Sequence, residues 1–518
     1  MPYAAGAGCD PEKGCLPGTR EKVIGEICDW VNQDGDDTPR IFFLNDVAGA
    51  GKSAIAHEVA RRFDRLKRLG ASYCFDRAHK AERSPSNVFS TIARDLADLD
   101  PERKASLLKV VQEQRGLRTT PVPSVQFKKF ILDPTQGLTA VGPTVIVIDA
   151  LDESGDQESR EGLLSILGNE AAKLPSSFRV LITSRAEQDI QDALLGKKHV
   201  HSRSLKEIDP DPADDVFHFV KVQLGHLTAL ERKWPKHGWC QLLVEKSEGH
   251  FQWASTACCF VKGDGKRGRD PVQQLEKLLV NNLHGLDQLY LSILKEIFGD
   301  DDELTDDDNF QRRFHLVMGC MLAAREPLSK SALQRLCNPD KLGTEVHDII
   351  GPMGALLRLP TQESEPISLL HTSFRDFLTD HTRSGPYCID ASLYDDVLAQ
   401  SSLRVMMEEL CFNICQLETS QLRNSDVVDL PARINKCISS QLSYSSRFWA
   451  DHVSVTTFMP NIGAKVKEFF ETKLLYWIEV LSLLNNVSAI QAALSAILVW
   501  SQVSATPKCY DFERRVLT

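Results

Sequence analysis

VAGAGKS, Val47 to Ser53, is the stretch on which the fold of this chain turns. An apolar run, Ile41-Phe42-Phe43-Leu44, precedes it. Ala54, Ile55, Val59, Ala60, Phe63, Leu66 and Leu69 follow at three- and four-residue spacing, and Gly70 closes the pattern, which predicts a helix after the loop. Strand, glycine loop and helix in that order make a cradle for a polyphosphate. The glycines let main-chain N–H groups turn inward, and the helix N-terminus adds partial positive charge. Ala48, Gly49, Ala50, Gly51, Lys52, Ser53 and Ala54 are therefore read as the phosphate contacts. Lys52 reaches the outer phosphates and Ser53 offers its hydroxyl to Mg²⁺. The loop departs from the full G-x-x-x-x-G-K-[ST] pattern at one place. Asp46 stands where the first glycine belongs, and its carboxylate has to point away from the phosphates or repel them.

Two further segments belong to the same sheet edge. TVIVIDALDES, Thr144 to Ser154, is a run of β-branched residues ending in Asp149. Such a run suits a strand buried on both faces of a parallel sheet. An acid at the tip of that strand is placed to hold Mg²⁺, so Asp149 joins Ser53 as a metal residue. Asp152 and Glu153 follow at once, and either would orient or deprotonate an attacking water. Against that, both acids also suit the start of a helix. A third strand, Phe178 to Thr183, runs into Ser184-Arg185. Parallel strands end on one edge, which puts Arg185 where it faces Lys52 and Asp149 and can grip a terminal phosphate bidentately. The plainer reading of Arg185 is a surface salt bridge.

Length and composition frame these motifs. The 518 residues allow roughly three to four structural units. A net charge of −11 argues against nucleic acid as the main partner. The basic run Lys262 to Arg269 is Gly-rich and reads as a solvated loop, and the acidic run Asp300 to Asp308 as a solvated linker. Fourteen cysteines lie at irregular intervals without a C-x-x-C pair, so structural zinc is not expected, and Cys74 and Cys320 read as small core residues. Reduced thiols in the cytoplasm are the expectation. The N-terminus lacks the basic start and apolar core of a secretory signal. Val480 to Trp500 is uncharged but carries several polar residues, and it reads as two packed helices broken near Asn485-Asn486 rather than a membrane span.

FLNDVAGAGKSAIA, TVIVIDALDES and LITSR, in that order and spacing, resemble the NACHT NTPase module of fungal NOD-like, STAND-class proteins, of the type whose N-terminal part is like nephrocystin 3. The lead-in CLPGTREKVIGEICDW is similar to the segment that precedes the module in that family. The resemblance implies an α/β P-loop NTPase core, a parallel sheet with helices on both faces, followed by helical, winged-helix and helical domains. Residues 1–15 read as a flexible arm, and the resemblance implies the NTPase module over 16–205, a small helical domain over 206–300, a winged helix over 301–390 and a helical domain over 391–518. It implies that Thr19 and Arg20 lie near the adenine and that His371, in HTSFRDFL, contacts the β-phosphate of ADP in a closed form. The same family often accepts a residue other than glycine at the Asp46 position.

The expected ligands are ATP or ADP with Mg²⁺, and the expected behaviour is a signalling switch. Slow hydrolysis would control a closed-to-open transition, with self-association of the ATP-bound form, in fungal immunity or self/non-self recognition. No membrane partner is expected. Two other readings use the same loop: a turnover enzyme such as a kinase or AAA-type motor, and a scaffold whose nucleotide site Asp46 has disabled. No repeat of the roughly 30–45-residue kind is visible.

Overall fold

The computed structural model describes residues 1–503 except positions 36, 81, 136–141, 264–269, 281–284, 299–307, 338–344, 360–361, 363–364 and 420. Most of the basic run ending at Arg269, the acidic run up to Asp307, and Ser504 to Thr518 lie outside the described residues. The chain divides into two units, Met1–Leu289 and Tyr290–Thr518.

The first unit is built on five parallel strands, β1 (Ile41–Asn45), β2 (Leu69–Cys74), β3 (Thr144–Asp149), β4 (Phe178–Ser184) and β5 (Val200–Ser204), in the order β2-β3-β4-β1-β5. Alternate side chains of the apolar strands point to opposite faces, and both faces are covered. Phe43, Tyr73, Ile146, Ile148 and Ile182 pack beneath the helix Val88–Leu99 and its neighbours. Phe42, Leu44, Val145, Val147 and Leu181 pack against α1 (Glu21–Asn32) and α2 (Lys52–Arg65). This two-sided burial is why β1, β3 and β4 read as unbroken apolar runs. After β5 the unit is helical, with helices Ala213–Leu224, Gly238–Ser247 and Phe251–Lys262 among others.

Three expectations need correction. The helix after the loop stops at Arg65, and Gly70 lies inside β2 rather than capping a helix. A Cβ at Gly70 would sit 2.5 Å from Thr144 Cγ2 and 2.7 Å from Leu96 Cδ2, so glycine is required by close packing at a register shift. Residues 1–15, expected as a flexible arm, are tied to the sheet edge. Ala4 and Ala7 are buried, Ala4 N–H donates to Thr91 Oγ1 (3.0 Å), and Cys9 N–H donates to Ser72 Oγ (2.8 Å). The third is β5, which the sequence did not reveal. VHSRS is polar, half-buried and at an edge, so no apolar run marks it.

The second unit is mainly helical. Among the described residues it holds one antiparallel pair, β6 (Leu357–Arg358) with β7 (Ser368–Leu369). The apolar stretch after Leu474 is two helices, Leu474–Leu483 and Ser488–Val503, parted at Asn485 in the left-handed region (φ 55°). Among the described residues no helix is long and apolar enough to cross a membrane.

Candidate functional site

The loop between β1 and α2 closes on its own lysine. Lys52 Nζ donates to the carbonyls of Asp46 (2.7 Å) and Val47 (2.8 Å). Burial lowers its pKa, against the pull of the Asp152, Asp46 and Asp149 carboxylates. Gly49 and Gly51 both have positive φ, 77° and 94°. They serve different needs. A Cβ at Gly49 would meet Gln252 Cβ at 2.8 Å, whereas a Cβ at Gly51 would meet nothing within 4 Å and project into open space. Gly51 is also the N-cap of α2, whose first-turn amides lack intrahelical partners. Those first-turn amides, an ammonium with a third donor and the exposed Ser53 hydroxyl suit a polyphosphate with its cation.

Asp46 does point away from that space. Its Oδ2 accepts from the N–H of Leu205 (3.0 Å), at the start of helix Leu205–Ile208, and its Oδ1 accepts from Val47 N–H (2.7 Å). Asp46, in the place of that glycine, thus ties the loop to the first amide of the helix after β5. Asp46→Gly is expected to lower unfolding free energy by about 1–2 kcal/mol without tightening nucleotide binding. Denaturant titration and calorimetry check this, and a gain in affinity at unchanged stability would contradict it.

The strand tips bring the acids to the same edge. Asp149 ends β3 and is buried, and Thr183 on the adjacent β4 donates its hydroxyl to Asp149 Oδ1. The same Thr183 oxygen accepts from Ala150 N–H (3.1 Å), and Ala150 is a non-glycine residue at φ 55°. Thr183 therefore clips both the carboxylate and the strained turn that follows it. It was absent from the sequence reading. Its signal was visible, a hydroxyl one residue inside the tip of the neighbouring strand.

Asp152 and Arg185, expected in separate roles, neutralise each other. Arg185 Nε lies 3.1 Å from Asp152 Oδ2, and Arg185 N–H donates to Asp152 Oδ1 (3.0 Å). Glu153 is different. It is half-buried, and burial, followed by the nearby charge of Asp152, pushes its carboxyl up to about 7. Its Oε2 accepts from Arg77 N–H (3.3 Å). A carboxyl raised above its ordinary 4.5 holds its proton longer in the folded state, so stability falls as pH rises from 4.5 through about 7. Glu153→Gln is expected to gain stability over wild type at about pH 8 and little at about pH 4. Equal differences at both pH values in denaturant titrations would contradict this.

Thr19 and Arg20 precede α1. Thr19 is buried and donates its hydroxyl to Leu16 O (2.7 Å). Arg20 adopts φ 58° and donates Nη2–H to the loop carbonyl of Ala50 (2.9 Å). Its N–H donates to Asp215 (2.8 Å), its Nη1 lies 3.6 Å from Asp209, and its guanidinium covers the Phe251 ring at 4.7 Å. The side chain thereby joins the lead-in, the loop and the helices after β5. In the second unit His371 caps helix Thr372–Leu378, its Nδ1 accepting from Ser373 N–H (3.1 Å). Tyr290 OH and Ser373 Oγ lie 2.8 Å apart beside it.

Residues 18–185 match the family model described as nephrocystin 3, N-terminal. The chain is 24% identical over 504 residues to the vegetative incompatibility protein HET-E-1 of Podospora anserina, a match covering 87% of this chain and 34% of that protein. The chain thus spans about one third of the length of that curated relative. Among solved structures, Drosophila ORC bound to DNA aligns over 92% of this chain and 71% of that one, at 14% identity and a TM-score of 0.24. Drosophila ORC bound to GC-rich DNA and Cdc6 aligns over 92% and 69%, at 14% and 0.23. Likeness of that degree carries no argument about fold or partner. The module match over residues 18–185 and the sequence kinship over most of the chain support a fungal NACHT-type NTPase.

Proposed function

We propose that the chain is a nucleotide-operated switch, loaded with ADP at rest and with ATP when active, in the cytoplasm. The observation that carries the reading is that the loop bearing Lys52, the β3 tip at Asp149 and the Asp152–Arg185 pair after β3 and β4 all follow strand ends on one edge of the parallel sheet. Ala48 to Ala54 would wrap the phosphates, with Lys52 on the outer ones. Ser53 and Asp149 would hold Mg²⁺, which supplies charge neutralisation at the phosphates when bound. Glu153 is the better base for water, because Asp152 already accepts from Arg185. Arg185, held by Asp152, would meet the terminal phosphate. Asp46 capping Leu205 supports a working loop over a disabled one.

The antiparallel β6–β7 pair among short helices supports a winged helix over 301–390. The boundaries at 205, 300 and 390 belong to the same proposal, as does the adenine site at Thr19 and Arg20. His371 is proposed as the latch on ADP. Its Nδ1 accepts from Ser373 N–H, which places the proton of the neutral ring on Nε2. ADP and ATP must bind the two states differently for any shift to occur. Opening would allow self-association, and a role in self/non-self recognition draws on the name of the Podospora relative. His371→Ala is expected to weaken ADP by about tenfold, or about 1.4 kcal/mol, and ATP much less. Calorimetry with both nucleotides tests this, and equal losses would remove the latch.

A further inference from the structure

Three side chains far apart in sequence meet at the open edge of β2. Cys9 comes from the N-terminal arm, His57 from α2 and Cys74 from the end of β2, and their sulfur and ring-nitrogen atoms all lie within 4.8 Å of one another. The two sulfurs are 3.3 Å apart. The expectation that Cys74 is an inert core residue is therefore incomplete. Cys74 is buried while Cys9 is half-buried, so solvent reaches one thiol of the pair more readily than the other. Backbone bonds hold the two in register: Cys74 N–H donates to Ala7 O (2.6 Å) and Cys9 N–H to Ser72 Oγ (2.8 Å).

The histidine decides between a metal site and a thiol pair. Asp10 N–H donates to His57 Nδ1 at 2.8 Å. That bond occupies the single lone pair of a neutral imidazole and leaves its proton on the other nitrogen. A metal ion needs the lone pair that Asp10 has taken, whereas a thiolate is stabilised by an N–H. Cys74 and His57 both pull the Cys9 thiol below its ordinary range, which fits this arrangement.

The geometry points to Cys9 and Cys74 as a reversible dithiol–disulfide modification site, with His57 beside it, that fastens the N-terminal arm covalently to the tip of β2. The oxidant is a small-molecule disulfide, RSSR. The Cys9 thiolate attacks one sulfur, forming a mixed disulfide and releasing RS⁻. The Cys74 sulfur attacks Cys9 Sγ and displaces the second RS⁻, and the Cys74 proton passes to that departing thiolate, which leaves as RSH. Two protein thiols are oxidised, and RSSR is reduced to two RSH once the thiolates take up protons. Closure from 3.3 Å to about 2.0 Å brings the sulfurs to bonding distance. The bond would lie one strand from Asp149, whose register partner is Cys74.

Trypsin makes the test clean, because cleavage after Lys13, Arg68 and Arg77 gives peptides 1–13 and 69–77, each with a single cysteine. The full chain is incubated with glutathione disulfide, free thiols are blocked, and the digest is read by mass spectrometry without reductant. The expected product is 1–13 joined to 69–77, about ten times more abundant than any other pairing of either peptide, and released by dithiothreitol. Cys74→Ser should stop at the Cys9–glutathione mixed disulfide, and Cys9→Ser should leave Cys74 a thiol. His57→Gln should slow formation of the joined peptide severalfold. Absence of the joined peptide, or scrambled pairing, overturns the proposal. So does stoichiometric zinc retained by the purified chain with both thiols protected from oxidation.

Discussion

Lys52→Ala is expected to weaken both ATP and ADP by on the order of 100-fold, about 3 kcal/mol. The wild-type ammonium makes two bonds to the Asp46 and Val47 carbonyls and keeps a third N–H for phosphate. It works in a buried setting, where charge-assisted bonds to an anion are strong. Alanine also leaves those two carbonyls short of a partner, with an expected cost of about 1–2 kcal/mol in stability. Unfolding should therefore be measured beside calorimetry to show that the variant is folded when it fails to bind. Unchanged ATP affinity in the folded variant would refute the site.

Asp149→Asn should lower Mg²⁺-dependent hydrolysis by roughly 100-fold or more while leaving the fold nearly intact. The amide oxygen can still accept from the Thr183 hydroxyl, and Thr183 can still accept from Ala150 N–H at 3.1 Å. Only the charge is lost. Full hydrolysis in this variant, measured as phosphate release, would show that the β3 tip does not face the cation.

The legible part of the fold was the part buried on both sides. β1, β3 and β4 carry uninterrupted apolar runs because sheet and helices enclose them, and the loop glycines and terminal acids punctuate those runs. Polar β5 carried no such mark. Gly70 misled because a glycine that closes a helix and one that permits strands to approach look alike in one dimension; only Thr144 and Leu96, distant in sequence, separate the cases. The site followed the same rule. Lys52, Ser53 and Asp149 stand out in local motifs. The pairing of Asp152 with Arg185, the capping of Leu205 by Asp46 and the clip made by Thr183 depend on strand order, which no local motif records. Cys9, His57 and Cys74 are further apart still, and their irregular spacing concealed a cluster that the sheet edge assembles.

The central claim is that the loop, Lys52 and Asp149 converge on one nucleotide-bound cation. Its most direct test is electron paramagnetic resonance of Mn²⁺ in place of Mg²⁺, titrated into the full chain with and without ATP. The account predicts one tightly held Mn²⁺ that appears only with nucleotide and is lost in Asp149→Asn. Mn²⁺ bound equally well without ATP, or retained in Asp149→Asn, would contradict it.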